Sequence, residues 1–374
     1  MSGIYIHIPF CAKKCFYCDF YTILSIKYKE EYIKILIQEL KQRQNYIEKK
    51  EIETIYFGGG TPTLLKPSEL QYLIDEISKI YTIKNDAEIT LEANPDDINL
   101  QYVQELKKTE FNRISIGLQS FFDEDLKLMN RRHTARENKQ AIQVLQNHGY
   151  TNISGDLIYG LPKMDIEHWQ KNLTEFFALD IPHLSAYHLT YEPNTVFSNF
   201  LKKGKIKEIP EDDSILQFNL LISEATKHNF IHYETSNFAK EGMFSKHNSS
   251  YWKQKNYLGL GTSAHSYNGT SRQHNISNIK EYMKKVGEGS KYFEKENLST
   301  TDKYNDYIIT SLRTMWGTDL QFVKKNIGIK YYNFIEKKAE ELIKKNLLII
   351  ENNTLKITQK GKFIEDNILL DLFY

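Results

Sequence analysis

The three cysteines of this 374-residue chain, Cys11, Cys15 and Cys18, lie close together near its start, in the segment IPFCAKKCFYCDF. Their spacing is C-x3-C-x2-C, directly after a run that favours a β-strand, and the short intervening stretches leave a loop free to wrap around a bound group. Three cysteines cannot pair completely, and thiols in the cytosol stay reduced, so a disulfide framework is a poor explanation. The cysteines therefore predict a metal or cluster site.

Two kinds of site fit this spacing. A structural zinc site needs a fourth ligand, and the nearby candidate is His7, which lies on the other side of Pro9 from the cysteines. A cluster of four irons held by three thiolates instead leaves one iron open to a small molecule. The residue types and their spacing favour the cluster and leave zinc or unligated thiols as alternatives.

Short apolar runs alternate with longer amphipathic runs as far as about residue 190, which indicates repeated βα units. The predicted strands are residues 4–8, 54–57, 88–92, 113–117, 153–158 and 183–189. The predicted helices between them are residues 27–48, 67–80, 100–108, 135–148 and 166–178. Such a chain is expected to form an α/β fold, a partial (β/α)6 barrel in which the loops after the strands share one functional face.

A glycine run, FGGGTPT, follows the second predicted strand. Glycines without Cβ atoms allow the backbone to approach a ligand closely, which makes Gly59, Gly60 and Thr61 candidate contacts. Taken alone, such a run is more often a plain tight turn.

Polar residues recur where successive predicted strands end, although each one alone is more often a solvated or hydrogen-bonded side chain. Ionic and amide groups on one rim suit a zwitterionic amino acid and a ribose, because acids accept from hydroxyls and a guanidinium pairs with a carboxylate. The candidates are Glu92, Gln119, Arg131, Asp156 and Thr190.

The alternation stops after Pro193, and we predict three segments. Residues 1–195 form the barrel core, residues 196–296 form a barrel extension with a helix at 212–227, and residues 297–374 form a smaller C-terminal α+β domain. The sequence of the last segment predicts a strand, a turn at Asn352-Asn353, a second strand and a helix. This order is typical of a winged-helix-like unit.

Composition restricts the partners and the location. Lys and Arg number 49 against 48 Asp and Glu, and the C-terminal segment lacks a clear basic stripe, so nucleic acid is not an expected partner. No apolar run approaches the roughly 18 residues of a membrane span, and a strand-like stretch follows Met1 where a signal peptide would lie. We therefore expect a cytoplasmic protein.

The cysteine motif, with the aromatic Tyr17 just before the third cysteine, resembles the signature of the radical S-adenosylmethionine (SAM) superfamily. That resemblance implies a [4Fe–4S] cluster on Cys11, Cys15 and Cys18, with SAM chelating the open iron and cleaved to a 5′-deoxyadenosyl radical. It implies further that the glycine run holds the SAM amino group and that the strand-end residues complete the SAM site. Tyr5 and Tyr17 resemble family positions beside the cluster and the adenine.

The segments IYIHIPFC, FGGGTPT, GLQSF and DLIYGLP together resemble the branch that contains oxygen-independent coproporphyrinogen III oxidase, along almost the whole chain. Two departures separate this chain from the oxidase itself. Phe20 stands where the oxidase pattern has a fourth cysteine, and the first strand begins near residue 4, where the oxidase carries an N-terminal extension that contributes to its substrate site.

The segment HNSSYW, residues 247–252, resembles the HNxxYW heme-binding motif of heme chaperones in this branch. The His247 imidazole suits an axial position on heme iron, and Tyr251 and Trp252 offer flat faces to a porphyrin. The same three residues are equally suited to lock a loop. His133, His188 and His265 are alternative ligands outside any such aromatic motif.

Three functions follow from these resemblances. The first is a heme chaperone that carries a [4Fe–4S] cluster and SAM, takes heme as cargo, passes it to apo-hemoproteins such as respiratory ones at the membrane, and forms a homodimer when the cluster is present. The second is an oxidative decarboxylase that converts coproporphyrinogen III propionates to vinyl groups. The third is a radical SAM enzyme with another substrate.

Overall fold

The computed structural model describes residues 2–374, and its largest element is a twelve-stranded sheet. Six strands pair in parallel and in chain order, which is the arrangement of a barrel, since each βα unit places its strand beside the previous one. They are β1 (Ser2–Ile8), β2 (Glu51–Gly59), β3 (Thr82–Ala93), β4 (Arg113–Gln119), β5 (Ile153–Tyr159) and β6 (His183–His188).

Helices that cover the outer face of this sheet begin where the sequence supplies caps. Thr134 and Glu137 form a capping box, Asp165 accepts from the backbone of His168, and Pro67 occupies a first helical position. The helices are α1 (Lys29–Gln42), α2 (Pro67–Ser78), α3 (Leu100–Leu106), α4 (Asp123–Leu128), α5 (Ala135–Asn147) and α6 (Ile166–Phe177).

The next segment extends the sheet at both edges. One new strand pairs in parallel with β1, and another pairs antiparallel with β6. The elements are α7 (Val196–Lys202), α8 (Glu211–Lys227), β7 (Ile231–Glu234), β8 (Asn237–Ala239), α9 (Lys246–Trp252), β9 (Asn256–Leu260), β10 (His265–Tyr267), β11 (Ser271–Asn275), α10 (Ile279–Gly287) and β12 (Phe293–Asn297). The strand order β12-β11-β10-β9-β1-β2-β3-β4-β5-β6-β8-β7 leaves the barrel open, because its ends do not pair within residues 2–374.

A smaller unit with its own apolar core follows. Its three short strands form an antiparallel sheet against helices. The elements are α11 (Thr300–Leu312), β13 (Thr318–Asp319), α12 (Leu320–Phe322), α13 (Ile329–Lys344), β14 (Leu348–Glu351), β15 (Thr354–Ile357) and α14 (Glu365–Leu372). The expected fold, a partial barrel with a smaller C-terminal α+β unit, is confirmed, whereas the division at residues 195 and 296 stays a prediction.

In the part of the chain from residue 2 onward, no helix combines the length and the apolar character needed to cross a bilayer.

A buried polar cluster joins α1 to the extension of the sheet. The Glu39 carboxylate is fully buried and accepts from Arg43 at 3.2 Å, from Asn275 at 2.8 Å and from the backbone N–H of Gly261 at 2.7 Å. Arg43 in turn donates to Gln273 at 2.9 Å. Because each charge in this cluster has partners, the cluster links α1 to the strands beyond β1 without an unpaired buried ion.

Replacing Glu39 with Ala is expected to destabilise the protein strongly, because Arg43 would keep its buried charge without its carboxylate. The expected loss in the free energy of unfolding is about 3–5 kcal/mol, measured by chemical denaturation. Glu31→Ala, an exposed glutamate on the same helix, is the control and should change stability by no more than about 0.5 kcal/mol. Equal effects of both substitutions would contradict the importance of the buried cluster.

Candidate functional site

The cysteine loop, residues 9–23, follows β1 and is held on both sides. On one side the Cys11 N–H donates to the Ile23 carbonyl at 2.9 Å, and the Ile23 N–H donates to the Pro9 carbonyl at 2.8 Å. On the other side the Phe16 N–H donates to the Met129 carbonyl at 3.0 Å. The loop is therefore anchored to its own base and to the segment that follows α4, so its three thiols have a defined position.

The thiols are partly buried, and two of them have polar neighbours from other loops. Thr61 Oγ1 lies 3.6 Å from Cys11 Sγ, and an Arg131 guanidinium nitrogen lies 3.4 Å from Cys15 Sγ. Burial raises the pKa of Cys11 and raises that of Cys18 to about 11. Thiols in such a site ionise when a bound metal supplies positive charge, so the donor set suits an iron–sulfur cluster.

The zinc alternative loses its fourth ligand in this structure. His7 Nδ1 is hydrogen-bonded to the Tyr5 hydroxyl at 3.0 Å, and His7 Nε2 is bonded to the Tyr21 carbonyl at 3.0 Å. Burial lowers the pKa of His7 to about 4, so the ring is neutral at physiological pH and is bonded at both nitrogens. Across residues 2–374 there is also no group of three or more His, Cys, Asp or Glu side chains placed to hold one metal ion.

The glycine run lies against the cysteine loop, with no room for side chains. A Cβ on Gly60 would lie 2.6 Å from the Phe10 carbonyl oxygen, and Gly59 has a φ of +108° with the His7 ring beside it. The Gly60 N–H donates to the Ile8 carbonyl at 2.8 Å, while the Gly59 N–H donates to Glu92 at 3.0 Å. These two N–H groups therefore bond within the protein, and the glycines serve first to bring the ends of β1 and β2 together.

Two acids lie near each other on the inner face of the sheet. Glu92 near the end of β3 accepts from the Tyr56 hydroxyl at 2.7 Å, and Asp156 within β5 lies 3.5 Å from the Ser115 hydroxyl. Burial raises the pKa of Glu92. Burial, followed by the charge of Glu92, raises the pKa of Asp156 to about 7. Asp156 is therefore poised to exchange a proton near neutral pH.

Arg131 reaches the cysteine loop from the segment after α4 and lies between strand ends. One guanidinium nitrogen donates to Asn94 at 2.6 Å and to the Gly117 carbonyl at 2.9 Å, and Asn94 donates to Thr61 at 3.1 Å. The other terminal guanidinium nitrogen lies 3.4 Å from Cys15 Sγ and 3.5 Å from the Tyr17 hydroxyl, while Nε is buried without a hydrogen-bond partner within residues 2–374. Sequence reasoning did not include Asn94, although it directly follows β3 in the EANPDD segment.

These groups converge on one space, the first cavity, with a volume of about 1340 Å³. Every predicted cysteine, the glycine run, the strand-end set and Tyr17 line it. Tyr5, His247, Tyr251 and Trp252 lie outside its lining, as do the alternative heme ligands His133 and His265, whereas the alternative ligand His188 lines it. The structure therefore brings the predicted cluster residues together with the predicted SAM residues other than Tyr5, and it separates them from the HNSSYW residues.

The first cavity extends to the C-terminal unit, which the sequence alone did not indicate. Arg313, Lys362 and Glu365 line this end, with His232 and Glu234 from the sheet extension. Lys362 bonds to His232 at 2.7 Å, and burial raises the pKa of Glu234 to about 7. These residues lie far from the cysteines in the sequence, so no motif pointed to them.

His247 at the start of α9 is buried and bonded at both ring nitrogens. Nδ1 is bonded to the Thr54 hydroxyl at 2.8 Å, Nε2 is bonded to the Tyr251 hydroxyl at 2.8 Å, and the backbone N–H donates to Glu88 at 2.9 Å. Burial lowers its pKa to about 3. The locked loop that the sequence left open as an alternative matches these contacts, and ligation of heme iron by His247 stays a prediction.

The raised pKa of Asp156 predicts a loss of stability as the pH rises. Between the ordinary carboxyl range near 4 and a native value of about 7, the native state keeps a proton that the unfolded state has released. The free energy of unfolding should fall by up to about 4 kcal/mol over that interval, and Asp156→Asn should remove this part of the pH dependence. Denaturation at pH 5 and pH 8 measures it. Asp212→Asn, at an exposed site, is the control, and an unchanged pH profile in Asp156→Asn would contradict the assignment.

The chain matches the radical SAM superfamily over residues 5–175 and the HemN C-terminal domain over residues 298–364. It is 32% identical to the heme chaperone HemW of Bacillus subtilis, covering 98% of each chain. It is 36% identical to the heme chaperone HemW of Escherichia coli over 70% of this chain and 69% of the relative.

Among solved structures, coproporphyrinogen III oxidase (HemN) from Escherichia coli, a radical SAM enzyme, superimposes with a TM-score of 0.86. The match covers 100% of this chain and 90% of that one at 24% identity, which shows a shared fold. The identities to the HemW proteins extend over nearly the full length of the chain. The chain therefore belongs to the radical SAM superfamily and, within it, to the family of the heme chaperone HemW.

Proposed function

We propose that this protein is a heme chaperone, which binds heme and delivers it to apo-hemoproteins, and that it carries a [4Fe–4S] cluster and SAM. The observation that carries the proposal is the 32% identity to the Bacillus subtilis heme chaperone HemW along 98% of both chains. The arrangement of the first cavity supports the cofactor part of the proposal, because cysteines and SAM-type polar groups line the same space.

Cys11, Cys15 and Cys18 would hold the cluster, whose open iron supplies a binding position for the amino acid part of SAM. Arg131 donates to Asn94, stands beside Cys15 and lines the first cavity, so its guanidinium suits a carboxylate at the edge of the cysteine loop. Its positive charge also opposes the rise in the pKa of Cys11 that burial causes.

The remaining cavity residues would hold the rest of SAM. Glu92 and Asp156 offer oxygens to ribose hydroxyls, and the Gln119 amide, Thr190 hydroxyl and Tyr17 ring line the same space. The carbonyls of the glycine run complete this group, because the Gly59 and Gly60 N–H groups already have partners. Tyr5 lies outside the cavity lining. Its ring is 6.1 Å from the Tyr56 ring, so it packs against β2.

His247 can bind heme iron only if its ring gives up one of the two hydrogen bonds that it makes in this structure. Ligation of iron through Nε2 would require the ring to release the Tyr251 hydroxyl, and ligation through Nδ1 would require it to release Thr54. A loaded state with His247 as a ligand therefore needs the Tyr251 or the Thr54 hydroxyl to turn away from the ring. Recipient apo-hemoproteins, an association with respiratory proteins at the membrane and a homodimer formed with the cluster remain parts of the proposal.

Arg131→Met should weaken SAM binding by at least about tenfold, because it removes the guanidinium charge that lines the cavity beside the cysteine loop. The measurement is equilibrium dialysis with SAM on anaerobically reconstituted protein, with iron and sulfide content determined in parallel. Arg136→Met, which changes an exposed arginine on α5, is the matched control and should bind SAM normally. Equal SAM affinity in both variants would contradict the role given to Arg131.

Heme titration of reconstituted protein, followed by visible absorption, should show stoichiometric binding and transfer of heme to an apo-hemoprotein. The same preparation, given coproporphyrinogen III under reducing anaerobic conditions, should form no vinyl porphyrin. The exposed Phe20, at the position of the oxidase's fourth cysteine, agrees with this expectation. Vinyl porphyrin formation without specific heme binding would instead assign the protein to the decarboxylase function.

Heme titration of His247→Ala distinguishes a role as heme ligand from a role as structural anchor of α9. A ligand role predicts a changed absorption spectrum of bound heme, whereas an anchor role predicts lower stability with an unchanged spectrum. Thr54→Val removes one anchoring bond and leaves the imidazole in place, so it should reproduce the stability loss only in the anchor case.

A further inference from the structure

A second cavity, of about 520 Å³, lies between α9 and the C-terminal unit. Its volume is within the roughly 300–1,000 Å³ that is usual for small-molecule sites. Aromatic rings from five separate segments of the chain line it: Trp252, Tyr267, Tyr307, Trp316 and Phe322. Such a lining offers flat faces to a flat ligand.

The charged side chains that line the second cavity are both cationic. Lys253 and Lys303 contribute to the lining, and no aspartate or glutamate does. Lys253 Nζ lies 4.1 Å from the centre of the Trp316 ring, a cation–π contact that holds the ammonium beside an aromatic wall. Burial lowers the pKa of Lys253, with Lys255 as a further cause, so an anion in the cavity would stabilise its charged form.

The backbone around the second cavity departs from regular structure on the C-terminal side. Gly317, next to Trp316, has a φ of +68°, and a Cβ there would lie 2.5 Å from the Leu355 carbonyl oxygen. After α12 the chain forms a π-helical turn, Val323–Ile327, which supplies Asn326 and Ile327 to the lining. π-Helical turns are rare and are frequent at functional sites, so this segment is shaped for more than packing.

We propose that the second cavity binds a porphyrin dicarboxylate, with the ring between the aromatic walls and the carboxylates at Lys253 and Lys303. The choice of a porphyrin as the ligand rests on the proposed function. His, Cys and Met are absent from the lining, so affinity comes from the ring and the carboxylates and does not require an iron ligand. The site includes Trp252 from the last turn of α9, whereas His247 anchors the first turn.

A purine nucleotide shares part of this chemistry, because it also joins a flat aromatic ring to anionic groups. The porphyrin is favoured because five aromatic side chains line the space, more than one purine base covers, and because two separate lysines match two carboxylates. ATP therefore serves as a competing ligand in the test.

The test is a set of equilibrium titrations of the full chain with metal-free protoporphyrin IX, heme and ATP, followed by absorption and fluorescence. Wild-type protein should bind both porphyrins with affinities within about threefold of each other and should not bind ATP. Trp316→Ala and Lys303→Glu should each weaken binding of both porphyrins by at least about tenfold, equivalent to about 1.4 kcal/mol. Tyr72→Ala and Lys280→Glu, at exposed sites on α2 and α10, are matched controls and should bind normally.

Failure of this inference is distinguishable from failure of the proposed function. Heme binding that requires iron and is unchanged in Trp316→Ala and Lys303→Glu would overturn the second site and leave the chaperone proposal standing. No binding of either porphyrin to the wild type would overturn both. ATP binding that is lost in the two variants would assign the cavity to a nucleotide. Lys303→Glu changes a partly exposed side chain, so its result does not depend on core packing around Trp316.

Discussion

The site depends on the close approach of two backbone segments where β1 and β2 end. Gly60 lies so near the carbonyls of Ile8 and Phe10 that a side chain has no space, and its N–H bonds to Ile8. This contact places the cysteine loop directly beside Thr61, which reaches Cys11. The thiols, Glu92 near the end of β3 and Arg131 in the segment after α4 border one cavity, because parallel strands bring the loops at their carboxyl ends to one face.

The sequence predicted the barrel well because its elements have strong local signals, whereas the orientation of α9 depended on distant residues. All six strands and five of the six helices of the first half were predicted, since apolar periodicity and caps are local. The short α4 was missed, β3 begins at Thr82 and not at residue 88, and α1 ends at Gln42 and not at residue 48. The HNSSYW segment gave no sign of which way His247 points. That direction is set by Thr54 on β2 and Glu88 on β3, which contact α9 only after folding.

The two ends of α9 have different surroundings. At the first turn, His247 lies beneath β2 with its ring 4.9 Å from the Tyr56 ring. At the last turn, Trp252 is partly exposed beside α11 and the loop that carries Trp316. Tyr251 connects the two ends, since it bonds to His247 and packs 4.6 Å from Tyr257. A change at the second cavity can therefore reach β2 through a single short helix.

The strands that α9 contacts, β2 and β3, also line the first cavity. Tyr56, beside His247, donates to Glu92, and Glu92 is one cause of the raised pKa of Asp156. A positively charged ligand in the first cavity would favour the ionised forms of both acids, whereas an empty cavity favours a protonated Asp156. Movement of His247 would disturb the Tyr56 ring and, with it, the hydrogen bond to Glu92. Ring contacts and hydrogen bonds thus run from Tyr267 in the second cavity through Tyr257, Tyr251, His247 and Tyr56 to Glu92 in the first.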